Sequence, residues 1–230
     1  MTGPEPSDPT LVPARHADRT SSDRAALDDL LDSCLVAHVG LVAEHGPVVI
    51  PTAYARDGDQ LLLHGSTGSR WMRALADGDA ACVSVTQLRA LVVARSAFES
   101  SMHYASAVLF GRCSVITGAA KLAALDVITD HLIPGRTAQV RRPTPRELAA
   151  TLVLALPIEQ WSFKTSDGWP QDGPDDVAGP AWAGVLPLVT SWGTPRPAPD
   201  LAPGIAVPAQ LAALAQLAVL ATPPAEGPRR

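Results

Sequence analysis

The chain reads as a mainly β protein, a closed or nearly closed antiparallel barrel of six or seven strands with a few helices beside it. Three observations carry that expectation. Short apolar or alternating runs rich in Val and Leu recur at residues 34–43, 48–55, 60–64, 80–86, 90–95 and 104–116. Glu44-His45-Gly46-Pro47 and Arg56-Asp57-Gly58-Asp59 join successive runs as hairpin loops, with Gly58 free to take a positive φ. The connections are short and show no regular strand-helix-strand alternation, which favours an antiparallel barrel over a doubly wound sheet.

The helices follow in order. Ser22 is placed to cap a first helix that carries Leu27, Leu30 and Leu31 on one side. A second runs over 69–76. A third, over 119–132, puts Leu122, Leu125, Ile128 and Leu132 on one stripe and ends at Pro134-Gly135. Thr144-Pro145-Arg146-Glu147 is a capping box with proline at the first helical position, a specific helix start. Residues 151–164 turn apolar again, and Pro157 inside them predicts an edge strand.

A chain of 230 residues, 47% of them hydrophobic, can bury a sizeable core, while 22 prolines and 17 glycines point to segments outside it. We expect a flexible arm at 1–14, one domain at 15–165, and an extended Pro/Ala-rich tail at 166–230 with a short helix at 208–221. That helix is too short to span a bilayer, and Leu211, Leu214 and Leu217 mark it as a docked helix. Trp169, Trp182 and Trp192 of the tail are expected to cover the barrel of the same or a neighbouring subunit. The net charge of −5, without a basic run, argues against nucleic-acid binding. Cys34, Cys82 and Cys113 lie in apolar runs without C-x-x-C spacing and read as buried thiols in a reducing compartment. The histidines show no zinc-binding spacing. With no apolar leader at the N-terminus, these features predict a cytoplasmic protein.

Leu61-Leu62-Leu63-His64-Gly65-Ser66-Thr67-Gly68-Ser69-Arg70-Trp71-Met72 reads as a buried strand running through a glycine turn into a helix. Free N–H groups of a first helical turn, the hydroxyls of Ser66, Thr67 and Ser69, and the fork of Arg70 form a phosphate cradle in composition and order. An ordinary N-capped helix accounts for the same residues. The segment is neither a Walker loop nor a Rossmann turn, so a phosphate held there belongs to something other than ATP or NAD.

Val48-Val49-Ile50-Pro51-Thr52, then the strand and turn just described, then Ala107-Val108-Leu109-Phe110-Gly111-Arg112, resemble the FMN-binding split barrel of pyridoxamine 5′-phosphate oxidase relatives. Ser101-Met102-His103-Tyr104-Ala105-Ser106, Pro134-Gly135-Arg136, Glu147-Leu148-Ala149-Ala150-Thr151 and Trp182-Ala183-Gly184-Val185-Leu186-Pro187 are similar to its flavin-nucleotide-binding branch, related to nitroimidazole-resistance proteins. The resemblance implies a homodimer with FMN in two interfacial clefts. Ser66, Thr67, Ser69 and Arg70 would hold the flavin phosphate, Ile50 and Thr52 would lie beside the ring, Ser106 would come from the partner, and Lys164 would stand where relatives carry Lys-x-Arg. His64 would point into the cofactor cleft as a cofactor contact and lie near the substrate as a proton relay, its ordinary pKa being about 6.5.

The implied activity is FMN-dependent oxidation or reduction of a small organic molecule. Residues for a second phosphate are not evident, which argues against pyridoxamine phosphate as substrate. His103 stands where relatives more often carry asparagine, and Ala105 where arginine is common. Two alternatives stay open: a haem-binding split barrel with His103 as axial ligand, and a flavin-binding module without turnover.

Overall fold

The computed structural model describes residues 20–217; the expected arm at 1–14 and the end of the expected 208–221 helix lie outside them. The chain divides into two compact units, one holding the residues up to Gln87 and Ala105–Thr165, the other Leu88–Tyr104 and the residues from Ser166 onward.

In chain order the elements are β1 (Thr20–Ser21), α1 (Arg24–Ser33), β2 (Val36–Ala43), β3 (Gly46–Asp57), β4 (Gln60–Ser66), α2 (Arg70–Ala76), β5 (Ala80–Val93), β6 (Ser101–Arg112), β7 (Ser114–Val115), α3 (Gly118–Leu132), α4 (Pro145–Ala150), β8 (Thr151–Pro157), β9 (Gln160–Ser166), α5 (Pro174–Val177), β10 (Gly184–Pro187) and α6 (Ala209–Leu217). The strands join in the order β1-β9-β6-β5-β2-β3-β4-β8-β7, with β10 added to β5. This is the mainly antiparallel split-barrel architecture expected, with more strands than the six or seven counted from the sequence.

The differences have local causes. Residues 80–86 and 90–95 form one continuous strand, β5, because Gln87-Leu88-Arg89 between them holds no turn residue. Residues 104–116 break at Cys113 into β6 and β7. Residues 151–164 form two strands joined at Ile158-Glu159, and Pro157 sits at the end of β8 opposite Gln60. β8 is therefore central, lying between β4 and β7. Asp23, not Ser22, caps α1, its carboxylate accepting from the amides of Ala25 and Ala26 at 2.9 and 3.2 Å. The capping box of α4 forms as read.

β3 bends between the two parts of the barrel. Its first half pairs with β2 as far as Ala53↔Val36, and its second half pairs with β4 from Tyr54↔Leu63 to Asp57↔Gln60. Alternation in β2, β5 and β6 sends Ala37, Val39, Leu41, Ala81, Val83, Val85, Ala105, Ala107 and Leu109 into the main core. β4 and β8 do not alternate, since Leu61, Leu62 and Leu63 are all buried and so are Val153 to Leu156. Leu61, Leu63, Leu154 and Leu156 face the main core, while Leu62, Val153 and Ala155 pack with Ala55 against Ala124 and Ile128 of α3. Both faces of these strands are covered, which is why their sequence reads as unbroken apolar runs.

Tyr54 ties this layer to α1. Its buried hydroxyl donates to the carbonyl of Leu31 at 2.7 Å, in the last helical turn where carbonyls lack helical partners. His131 of α3 pairs through Nε2 with the Cys34 carbonyl at 2.9 Å and lies beside the Tyr54 ring. Cys113 is buried as expected, Cys34 is half-buried, and Cys82 is exposed on an outward position of β5.

In the second unit β10 pairs with β5 from Gly184↔Val93 to Pro187↔Ala90. The buried carboxylate of Asp172 accepts from the backbone amide and the guanidinium of Arg95 at 2.7 and 2.9 Å. Trp169, Trp182 and Trp192 are exposed. Among the described residues no helix is long and apolar enough to cross a membrane.

Tyr54→Phe will leave the Leu31 carbonyl buried without its donor. We expect a loss of about 1–3 kcal/mol in unfolding free energy by urea titration, and an unchanged midpoint would show that the hydroxyl contributes nothing.

Candidate functional site

The burial of Leu61–Leu63 fixes the register of β4, which runs on through His64 to Ser66, and so where His64 and the turn after the strand lie. Gly65 is required there, because a Cβ would come within 2.9 Å of Met72 Cγ under the first turn of α2. The turn satisfies most of its own backbone. Thr67 donates through its amide and its hydroxyl to the Ala150 carbonyl at 3.0 and 3.3 Å. Gly68 donates to Ser66 Oγ at 3.1 Å, and Ser69 to the Ser66 carbonyl at 2.9 Å.

Of the amides expected to converge on a phosphate, those before the helix are thus taken, and the first-turn amides of Arg70, Trp71 and Met72 in α2 have no partner among the described residues. The amides of Thr67, Gly68 and Ser69 already have partners, so a grip on an anion falls to the first-turn amides of α2 and to side chains. Ser69 stands at the cap position with no side-chain cap bond. Arg70 is exposed and makes no hydrogen bond or ion pair among the described residues.

The other expected cofactor contacts are spread along the sheet. Ile50 and Thr52 are half-buried on β3, opposite Val39 and Ala37. Ile50 packs on the main core, and the Thr52 hydroxyl reaches only the Ala53 carbonyl, at 3.3 Å. Ser106 on β6 and Lys164 on β9 are half-buried, and β5, β2 and β3 stand between their strands and β4 in the sheet order. Within one chain the structure thus groups Ser66, Thr67, Ser69 and Arg70 beside His64 and leaves Ser106 and Lys164 on other strands.

His64 lines a cleft of about 450 Å³ whose wall includes Leu125 and Thr129 of α3, Val140, Arg141 and Pro143 of the following loop, and Glu147, Leu148 and Thr151. Its Nδ1 is buried without a hydrogen-bond partner among the described residues. Burial lowers the imidazole's pKa from its ordinary value, which favours the neutral ring. Facing it, the guanidinium of Arg141 grips both Glu147 oxygens at 2.8 and 2.6 Å. Glu147 also accepts the Thr144 amide at 2.7 Å, and Arg141 first, then the Thr144 cap, pull its carboxyl down to about 2. An imidazole, four apolar side chains and a guanidinium paired with a carboxylate suit an amphipathic ligand that bears acidic groups.

The sequence reading missed this cleft. Leu125 was legible as helix packing and Glu147 as a cap, but nothing in the spacing of Arg141 joined them to His64. His103, the expected ligand in the haem alternative, is in the second unit, and its Nε2 lies 2.7 Å from the Gly168 carbonyl. To bind a metal through that nitrogen it would forfeit the bond. Among the described residues no group of three or more His, Cys, Asp or Glu side chains is placed to hold a metal ion.

Residues 23–165 match the family described as pyridoxamine 5′-phosphate oxidase. Among solved structures, the chain is similar to the FAD and heme binding protein from Mycobacterium smegmatis, at 52% identity over 86% of this chain and 97% of that one, with a TM-score of 0.83. It is similar to the flavocytochrome Anf3 from Azotobacter vinelandii at 33% identity over 92% of this chain and 99% of that one, TM-score 0.85. A candidate 5-nitroimidazole antibiotic resistance protein from Bacteroides thetaiotaomicron shares the fold at 20% identity over 64% of this chain and 86% of that one, TM-score 0.55. No curated protein matches the chain.

His64 gives the site a pH signature. A ring whose native pKa lies below its unfolded value contributes stability that is present above about pH 6.5 and lost as pH falls through the native value. We expect its NMR titration midpoint to fall below 6.5, and a midpoint at or above that value would contradict the burial described.

Proposed function

This chain belongs to the pyridoxamine 5′-phosphate oxidase family, and from that premise we propose that it is a redox protein binding both a flavin and a haem, the haem in the cleft beside His64. The observation that carries the reading is His64 on the wall of a cleft of mixed polarity, its Nδ1 buried without a partner among the described residues, with Leu125, Val140, Pro143 and Leu148 and one guanidinium–carboxylate pair on the same wall. Those residues fit a haem: the His64 imidazole would bind its iron, Leu125, Val140, Pro143 and Leu148 would cover the porphyrin, and Arg141 carries charge opposite to its carboxylates. The printed descriptions of the 52% and 33% identical relatives support the same pair of cofactors.

For the flavin, Ser69 and Arg70 would hold a phosphate with help from the hydroxyls of Ser66 and Thr67, while Ile50 and Thr52 would orient the ring. The relative's description favours FAD over the FMN implied by the sequence resemblance. Ser106 and Lys164 would complete the flavin site from a second copy of the chain. The exposed Val36, Val42, Val48 and Val49 of β2 and β3 supply apolar surface for such a homodimer.

A bound flavin and haem supply the electron transfer; the chain's own residues bind, orient and exclude water. Burial disfavours the protonated ring of His64, which suits binding a metal ion. The relay role for His64 competes with ligation for the same ring, and the orphaned nitrogen favours ligation. A small organic molecule remains the proposed electron donor or acceptor, and the enzyme class that of a flavin-dependent oxidoreductase.

An absorption spectrum of the purified protein tests the proposal. We expect two flavin bands and a Soret band, with the Soret band lost in His64→Ala. Arg70→Ala should weaken flavin binding by about tenfold to a hundredfold, the loss of a charge-assisted phosphate contact. No chromophore, and none taken up on adding FAD, FMN or hemin, would overturn the reading.

A further inference from the structure

We propose that Arg141 is the anchor for a ligand carboxylate in the His64 cleft, and that Glu147 occupies this anchor until such a ligand replaces it. The inference rests on the reading of the cleft as a haem site and adds to it the group that recognises the acidic edge. Arg141 meets Glu147 with two nitrogens on two oxygens, at 2.8 and 2.6 Å, the planar fork by which a guanidinium receives any carboxylate. Both residues line the cleft, as does His64. Two neighbouring cations are committed elsewhere: Arg142 pairs with Asp126, and Lys121 donates to the Leu148 carbonyl at 2.7 Å. Arg141 is the one Lys or Arg on the described cleft wall.

The exchange is energetically accessible. The Arg141 and Glu147 side chains are 67% and 49% exposed, so their mutual attraction is screened by water. Glu147 does not depend on Arg141 for its position, because the Thr144 amide holds it as part of the capping box. When a ligand carboxylate takes the guanidinium, Glu147 keeps its cap at the start of α4, where a negative charge is favoured. One carboxylate replaces another on the same fork. The ligand class is therefore a planar apolar molecule with carboxylates at one edge, and an otherwise identical neutral ester would lose the anchor.

The test titrates hemin and hemin dimethyl ester, followed by the Soret band, into the full-length chain prepared free of haem. Wild type should bind hemin about tenfold more tightly than the ester. Arg141→Gln should weaken hemin about tenfold and leave the ester unchanged, abolishing the preference. Glu147→Gln, whose amide oxygen can still accept the Thr144 cap, should tighten hemin severalfold. Equal binding of acid and ester by wild type, or a preference that survives in Arg141→Gln, overturns the anchor while a His64-dependent Soret band keeps the haem reading intact. If no His64-dependent band forms with either porphyrin, the haem reading falls and the anchor falls with it.

Discussion

The candidate site depends on the burial of β4 and β8 on both faces. Leu61 and Leu63 pack into the barrel core while Leu62, one residue between them, packs under α3 with Val153 and Ala155. A slip of one residue would exchange those two sets of side chains between packing surfaces of different shape, so the register of β4 against β8 is tightly held. The pair His64↔Val153 and the pair Ser66↔Thr151 then follow. One element of the cleft wall, α3, is the same helix that covers the outer face of these strands. Packing and site are two uses of one layer.

That layer explains the electrostatics of the cleft. His64 follows three buried leucines and is itself half-buried, which disfavours protonation of its ring, and its Nδ1 has no partner among the described residues. Arg141 and Glu147, on the loop and helix that close the cleft, remain wet and ionised. The cleft therefore runs from an uncharged nitrogen base to a solvent-facing ion pair. An amphipathic cofactor needs such a gradient: a ligand for its metal where water is scarce, and a cation for its acids where water is plentiful.

The Ser66–Arg70 turn is built differently. The Ser66–Arg70 turn has already satisfied the amides of Thr67, Gly68 and Ser69, so it offers a shaped loop bearing hydroxyls and one guanidinium. A loop whose backbone is internally bonded is held in place before any ligand arrives, which reduces the ordering cost of binding. Ser106 on β6 and Lys164 on β9 belong to other parts of the sheet.

The sequence by itself determined the elements whose cause is local. The alternation of β2, the Asp57-Gly58 hairpin, the α4 capping box and the glycine turn after His64 were all legible, since each rests on residues a few positions apart. The family resemblance was legible for the same reason, in short motifs. Tertiary structure decided what depends on distant neighbours. Pro157 ends a central strand because β4 and β7 flank β8, β10 exists because backbone groups of β5 accept it, and His103 spends its Nε2 on Gly168, 65 residues along the chain. The meeting of His64, Leu125 and Arg141 in one cleft belongs to this second kind. No periodicity or spacing links those three residues; only the packing of α3 and its following loop over a strand buried on both sides brings them to the same wall.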